Sequence, residues 1–166
     1  MKNAASNPSP SIDDGHFSTS RKDKDKDKNM NWQDLARTTL EGSENGTLSF
    51  PQSWKMLMEA GFDGYGVDFR RNIRTYYMPD GRTLDFPTTP TSPVAERFDP
   101  EIIKSALADA KAQVPGYTYK GFCAKVAGAG CAGYLVSFAG KRVLYYGRTG
   151  ETHTEFSPGM RPKVAS

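Results

Sequence analysis

Residues 50–86 align without a gap on residues 119–155, which restricts the chain to folds that one short unit can build twice. Ten positions are identical: Ala60 and Ala129, Gly61 and Gly130, Gly64 and Gly133, Tyr65 and Tyr134, Val67 and Val136, Phe69 and Phe138, Tyr76 and Tyr145, Tyr77 and Tyr146, Gly81 and Gly150, Thr83 and Thr152. Chance supplies about one or two such matches over this span. Phe50 opposite Tyr119 and Leu57 opposite Val126 extend the similarity upstream. The expectation is a tandem pseudo-repeat that arose by duplication.

Local signals define the unit. Ser49 supplies a capping oxygen, and Phe50, Trp54, Leu57 and Met58 follow at helical spacing until Ala60-Gly61 ends the element. Tyr65, Val67 and Phe69 then alternate with Gly66 and Asp68, the period of a half-buried strand. Arg70-Arg71-Asn72 turns the chain into a second strand, Ile73 to Met78, and Pro79-Asp80-Gly81 turns it into a third, Arg82 to Phe86.

The second copy repeats the plan. Thr118 is the cap, and Tyr119, Cys123 and Val126 lie on the helix. Strands are predicted near Tyr134–Phe138, Arg142–Tyr146 and Glu151–Phe156, with turns at Gly140-Lys141 and Thr149-Gly150. Each unit therefore reads α-β-β-β.

Pro87, Pro90 and Pro93 mark residues 87–98 as an extended linker. Beyond it Asp99-Pro100 starts a helix with the stripe Ile103, Ala106, Leu107, Ala110 and Val114. A shorter helix, Trp32 to Leu40, precedes the first copy. The predicted class is α+β, with about four helices and six antiparallel strands. A single domain is expected over residues 31–158, made of repeats 31–86 and 99–156.

Residues 1–30 carry only scattered apolar side chains around an alternating Lys-Asp run, which reads as a disordered charged tail; residues 159–166 read as a flexible C-terminus. Met1-Lys2 is followed by no apolar signal core, and nowhere do eighteen apolar residues run together. Neither secretion nor membrane spanning is supported, and a cytoplasmic location is expected. In that setting Cys123 and Cys131 read as buried thiols, and Asn45-Gly46-Thr47 as a turn rather than a glycosylation site.

Candidate sites are sparse. Gly128-Ala129-Gly130-Cys131-Ala132-Gly133 satisfies the G-x-G-x-x-G pattern, but it follows a predicted helix and precedes a strand, the reverse of a dinucleotide site. Those glycines read instead as a helix stop that lets the chain pass close beneath. His153 has no metal-ligand spacing around it and reads as the polar outer face of a strand. Asp68, Asp80 and Asp85 form no close pair, and no Ser-His-Asp or Cys-His arrangement is visible.

Arginines and tyrosines remain. Arg70, Arg71 and Arg74 at one hairpin, with Lys141, Arg142 and Arg148 at the other, offer two basic corners. Within Tyr76-Tyr77 and Tyr145-Tyr146 one ring of each pair enters the core while its neighbour reaches the other face. The candidate ligand-binding set is Arg70, Arg74, Tyr76, Tyr145, Arg148 and His153; no catalytic residue, cofactor or metal is expected.

The strings GFDGYGVDF, TYYMPDGRT, GCAGYLVSF and YYGRTGETHTEF, with a proline-rich segment before RFDPEII, resemble the YbcV-like family of small bacterial and prophage proteins over roughly residues 48–158. The resemblance implies a domain of unknown function, sometimes labelled a phage envelope protein, and brings no catalytic residues. The family's late histidine corresponds to His153, but the segment reads THTEFSP and lacks a second histidine, so two-histidine chemistry is not implied.

The leading functional expectation is a non-catalytic binding or interaction module of bacterial or prophage origin, with a protein partner or a second copy of itself as a homodimer. The alternative is a binder of a small anionic or nucleotide-like ligand using Arg and Tyr side chains; an enzyme using His153 comes third. Nucleic-acid binding is not expected, because the net charge is only +3 and no recognition-helix motif is present.

Overall fold

The computed structural model describes residues 31–157. The expected charged tail and flexible C-terminus lie outside the described residues. Four helices and six strands follow in the order α1 Trp32–Asn45, α2 Phe50–Glu59, β1 Gly64–Asp68, β2 Ile73–Tyr77, β3 Thr83–Pro87, α3 Pro100–Ala112, α4 Tyr119–Gly128, β4 Cys131–Ser137, β5 Arg142–Gly147 and β6 Thr152–Phe156. The class is α+β, as predicted.

Most helix starts were legible because capping is local chemistry. Ser49 and Gln52 form a reciprocal capping box, Thr118 accepts from the Gly121 N–H, and Asp99 accepts from Glu101 and Ile102 ahead of Pro100. The ends moved more. Helix α1 runs five residues past the predicted Leu40, because Gly42 lets the Leu48 side chain fold back against it and Gly46, at φ 81°, supplies the stop. Helix α3 ends at Ala112, before Val114, where Gln113 adopts φ 49°.

The six strands form one antiparallel sheet in the order β3-β2-β1-β4-β5-β6. At its centre β1 and β4 pair with Gly66 opposite Leu135, Tyr65 opposite Val136 and Val67 opposite Tyr134. Strand β4 begins at Cys131, earlier than predicted, because its first residues pair with β5 around an irregularity between Cys131 and Gly133.

All four helices pack on one face of this sheet. The buried core joins Leu35, Trp54, Leu57, Ile103, Leu107 and Phe122 from the helices to Tyr65, Tyr76, Val136 and Tyr145 from the strands. Of the apolar set expected on α2, only Trp54 and Leu57 enter the core; Phe50 and Met58 stay exposed. Among the described residues no helix covers the opposite face, and Tyr77 and Leu135 are exposed there.

Residues 87–98 are strapped down rather than spanning freely. Pro87 still belongs to β3, Ala95 donates to the Ala127 carbonyl, and Phe98 is buried in the core. Gly130 follows the expected stop: at φ 91° it lets the chain pass the Arg97 carbonyl so closely that a Cβ would collide with it. Its aligned partner Gly61 shares the conformation, φ 89°, but faces open space. Among the described residues no helix is long and apolar enough to cross a membrane.

Candidate functional site: a phenol-lined cavity over a buried arginine

Alternation along each strand projects two rows of side chains toward the helices. One row crosses the sheet as Leu84, Tyr76, Tyr65, Val136, Val143 and Glu155; the next runs Phe86, Arg74, Val67, Tyr134, Tyr145 and His153. Tyrosines occupy aligned positions in the two halves, but the polar groups do not. Arg74 is aligned with Val143, His153 with Leu84, Glu155 with Phe86, and the phenol of Tyr119 with the ring of Phe50.

Arg74 is wholly buried. Its position on β2 explains why: two residues from Tyr76, it must share the face on which that ring enters the core. The predicted basic corner therefore loses this residue to the interior. Its guanidinium lies 4.6 Å from the Tyr65 ring centre, 5.6 Å from that of Tyr119 and 5.9 Å from that of Tyr76. Nη1 donates to the Tyr76 hydroxyl at 3.2 Å and Nη2 to the Tyr119 hydroxyl at 2.9 Å, while Nε has no hydrogen-bond partner among the described residues.

Two arms leave this cation. On one, Tyr76 meets the Thr39 hydroxyl at 2.9 Å, and Thr39 donates to the Ala36 carbonyl. Because Thr39 spends its hydrogen on Ala36, it accepts from Tyr76, and that arm is closed. On the other, Tyr119 meets the Tyr134 hydroxyl at 2.7 Å. Among the described residues no carboxylate forms an ion pair with Arg74.

The second arm ends at a cavity of about 530 Å³ between the sheet and the helix ends, within the usual size range for a small-molecule pocket. Tyr65, Tyr134 and Tyr145 line it from the sheet and Tyr119 from the start of α4, and Leu48, Leu107, Phe122 and Val143 supply apolar wall. Burial pushes the Tyr65 phenol up to about 12, against the pull of Arg74, and raises Tyr119, Tyr134 and Tyr145 well above the ordinary tyrosine range. These phenols are neutral hydrogen-bonding groups at neutral pH. For Arg74, burial works against the charge while the surrounding tyrosine oxygens favour it, and the balance keeps the guanidinium protonated.

One rim is ionic. The Lys111 ammonium lies 2.7 Å from Glu155 Oε1, and His153 Nε2 lies 2.8 Å from Glu155 Oε2. Burial works to raise the Glu155 carboxyl, but the bonds from Lys111 and His153 outweigh it and hold the carboxyl below its usual range. His153 thus sits on the inner row beside Tyr145, not on the polar outer face that its neighbours suggested. Among the described residues it bonds no hydroxyl or thiol, so no activated nucleophile is assembled.

The remaining predicted residues scatter. Tyr145 lines the cavity, Tyr76 lies behind it on Arg74, Arg70 is exposed at the β1–β2 turn, and exposed Arg148 donates to the Val94 carbonyl. The structure brings Arg74, Tyr76, Tyr145 and His153 to one face and leaves Arg70 and Arg148 outside. Sequence reasoning missed Tyr65, Tyr119 and Tyr134 as site residues; the available signal was that tyrosines, unlike phenylalanines, need a partner for a buried hydroxyl.

Both cysteines are free and buried, as expected. Burial raises the Cys123 thiol to about 12 and the Cys131 thiol to about 11, which makes them poor nucleophiles. Among the described residues no group of three His, Cys, Asp or Glu side chains is placed to hold a metal ion.

Fold and site together define a two-layer α+β protein with helices on one face of an antiparallel sheet and a phenol-lined cavity between the layers. No protein-family model matches the chain, and no curated protein matches it in sequence.

Proposed function

We propose that the protein is a non-catalytic small-molecule binding module whose ligand occupies the cavity lined by Tyr65, Tyr119, Tyr134 and Tyr145. One observation carries this reading: the cavity combines apolar walls with a convergent set of hydroxyls, the usual makeup of a small-molecule pocket. Among the described residues no hydroxyl or thiol is hydrogen-bonded to His153, which favours binding over turnover.

The neutral dye N-phenyl-1-naphthylamine, which brightens in apolar surroundings, tests it. Saturable binding of one dye per chain is expected, and it is lost when Ala110→Trp, on the cavity lining, fills the space. Equal binding by wild type and a folded Ala110→Trp variant refutes the assignment.

A second reading rests on the other face of the sheet, where Tyr77 and Leu135 are exposed with no helix over them among the described residues. It makes that face a protein contact, including self-association. A mass that grows with concentration and returns to the monomer in Leu135→Lys would favour it.

A further inference from the structure

We propose that the ligand of this cavity is a compact monoanionic organic acid, its acidic group at the Tyr119–Tyr134 hydroxyl pair and its apolar body against Leu107, Phe122 and Val143. The inference rests on the small-molecule reading above and adds the ligand's charge and polarity.

Hydrogen-bond direction is the first argument. A guanidinium only donates, so the Tyr119 oxygen is committed as an acceptor of Arg74. Tyr119 and Tyr134 share one hydrogen bond and own two hydrogens, and Tyr65, whose hydroxyl also bonds Tyr134, brings a third hydrogen for that second bond. One hydrogen is left over for an acceptor in the cavity, and the cation behind the phenols polarises their hydroxyls toward donation. Since the Tyr76 arm closes on the Ala36 carbonyl, only the cavity arm is open to a ligand.

Charge is the second argument. Arg74 is fully buried, its Nε lacks a partner, and no carboxylate pairs with it among the described residues. Both carboxylates on the cavity lining are engaged elsewhere. Glu155 holds Lys111 and His153, and Glu44 accepts from the Thr89 N–H and hydroxyl. A ligand anion placed at the Tyr119–Tyr134 pair supplies the missing opposite charge one phenol away from Arg74.

The same facts narrow the class. One unpaired cation balances one negative charge, so a phosphate monoester or nucleotide would carry surplus charge into an apolar site. A small inorganic anion would leave the walls without a partner. A carboxylate or sulfonate on a ring-sized apolar body satisfies both.

The experiment compares 1-anilinonaphthalene-8-sulfonate with N-phenyl-1-naphthylamine, the same rings with and without the anionic group, on the full chain. Wild type is expected to bind the sulfonate at least about tenfold more tightly. Tyr134→Phe, which keeps the ring and removes only the hydroxyl, and Arg74→Met are each expected to bring the ratio of the two dissociation constants close to one. Equal binding of both dyes by wild type, or an unchanged ratio in both folded variants, overturns the acid assignment while leaving the cavity a binding site. Binding of neither dye by wild type overturns the small-molecule reading as well.

Discussion

The guanidinium carbon of Arg74 stands 4.6 Å from the centre of the Tyr65 ring, and both residues are buried on the helix-covered face of the sheet. A cation there is stabilised by ring faces and phenol oxygens rather than by a carboxylate, an arrangement that favours function over stability.

Arg74→Met should therefore leave stability unchanged or raise it by up to about 2 kcal/mol, since an unpaired buried charge gives way to an apolar chain of similar reach. The two phenols that lose its donors keep Thr39 and Tyr134 as partners. Urea midpoints decide: a loss above about 3 kcal/mol would make Arg74 a structural residue.

Alkaline pH should unfold the protein cooperatively. Burial raises the Tyr65 and Tyr117 phenols to about 12 from the ordinary tyrosine value of 10.0, and Tyr119, Tyr134 and Tyr145 also move up. In the unfolded chain these groups lose protons first, so their contribution is full below pH 10 and declines as pH rises toward the folded values. Each fully buried phenol costs up to about 1.4 kcal/mol per pH unit in that window, and the half-buried Tyr117 less. Phenolate absorbance and circular dichroism should change together above pH 10; phenolate formation in a still-folded protein would contradict the burial.

Lys111→Met should move the Glu155 carboxyl back up, because the Lys111 bond is the leading influence holding it down. The wild-type contribution is present above the ordinary glutamate value of 4.5 and is lost as pH falls through the lower folded value. With Lys111 largely exposed, the stability change should stay below about 1 kcal/mol. Carboxyl carbon shifts followed by NMR from pH 2 to 7 read the titration; an unmoved Glu155 would show that the contact is not formed in solution.

Gly130→Ala and Gly61→Ala should differ although the two glycines are aligned and share a backbone conformation. At Gly61 the new Cβ meets open space, leaving only the left-handed penalty of roughly 1–2 kcal/mol. At Gly130 it collides with the Arg97 carbonyl as well, so the loss should be larger by about 1–3 kcal/mol. Equal urea midpoints for the pair would remove the close approach of residues 97 and 130.

Much of the site could have been read from parity. Arg74 and Tyr76 are two apart on one strand, as are His153 and Glu155, so each pair had to share a face. The preference of Arg for water argued for placing Arg74 at a corner, and it lost because the rings of Tyr76 and its neighbours made burial of that face more favourable. No local signal told that Tyr119 and Tyr134, on a helix and a strand, would touch through their hydroxyls.

The sequence by itself determined the elements: the capping residues, the turn residues and the alternation are short-range chemistry, and they reproduce four helices and six strands with only the ends displaced. Tertiary structure alone decided that β1 lies against β4, that the helices cover one face and leave Tyr77 and Leu135 on the other, and that Arg74 meets the Tyr119 phenol at the edge of a cavity. Alternation assigns residues to two faces without saying which face is covered, and contacts between distant segments depend on how the layers dock.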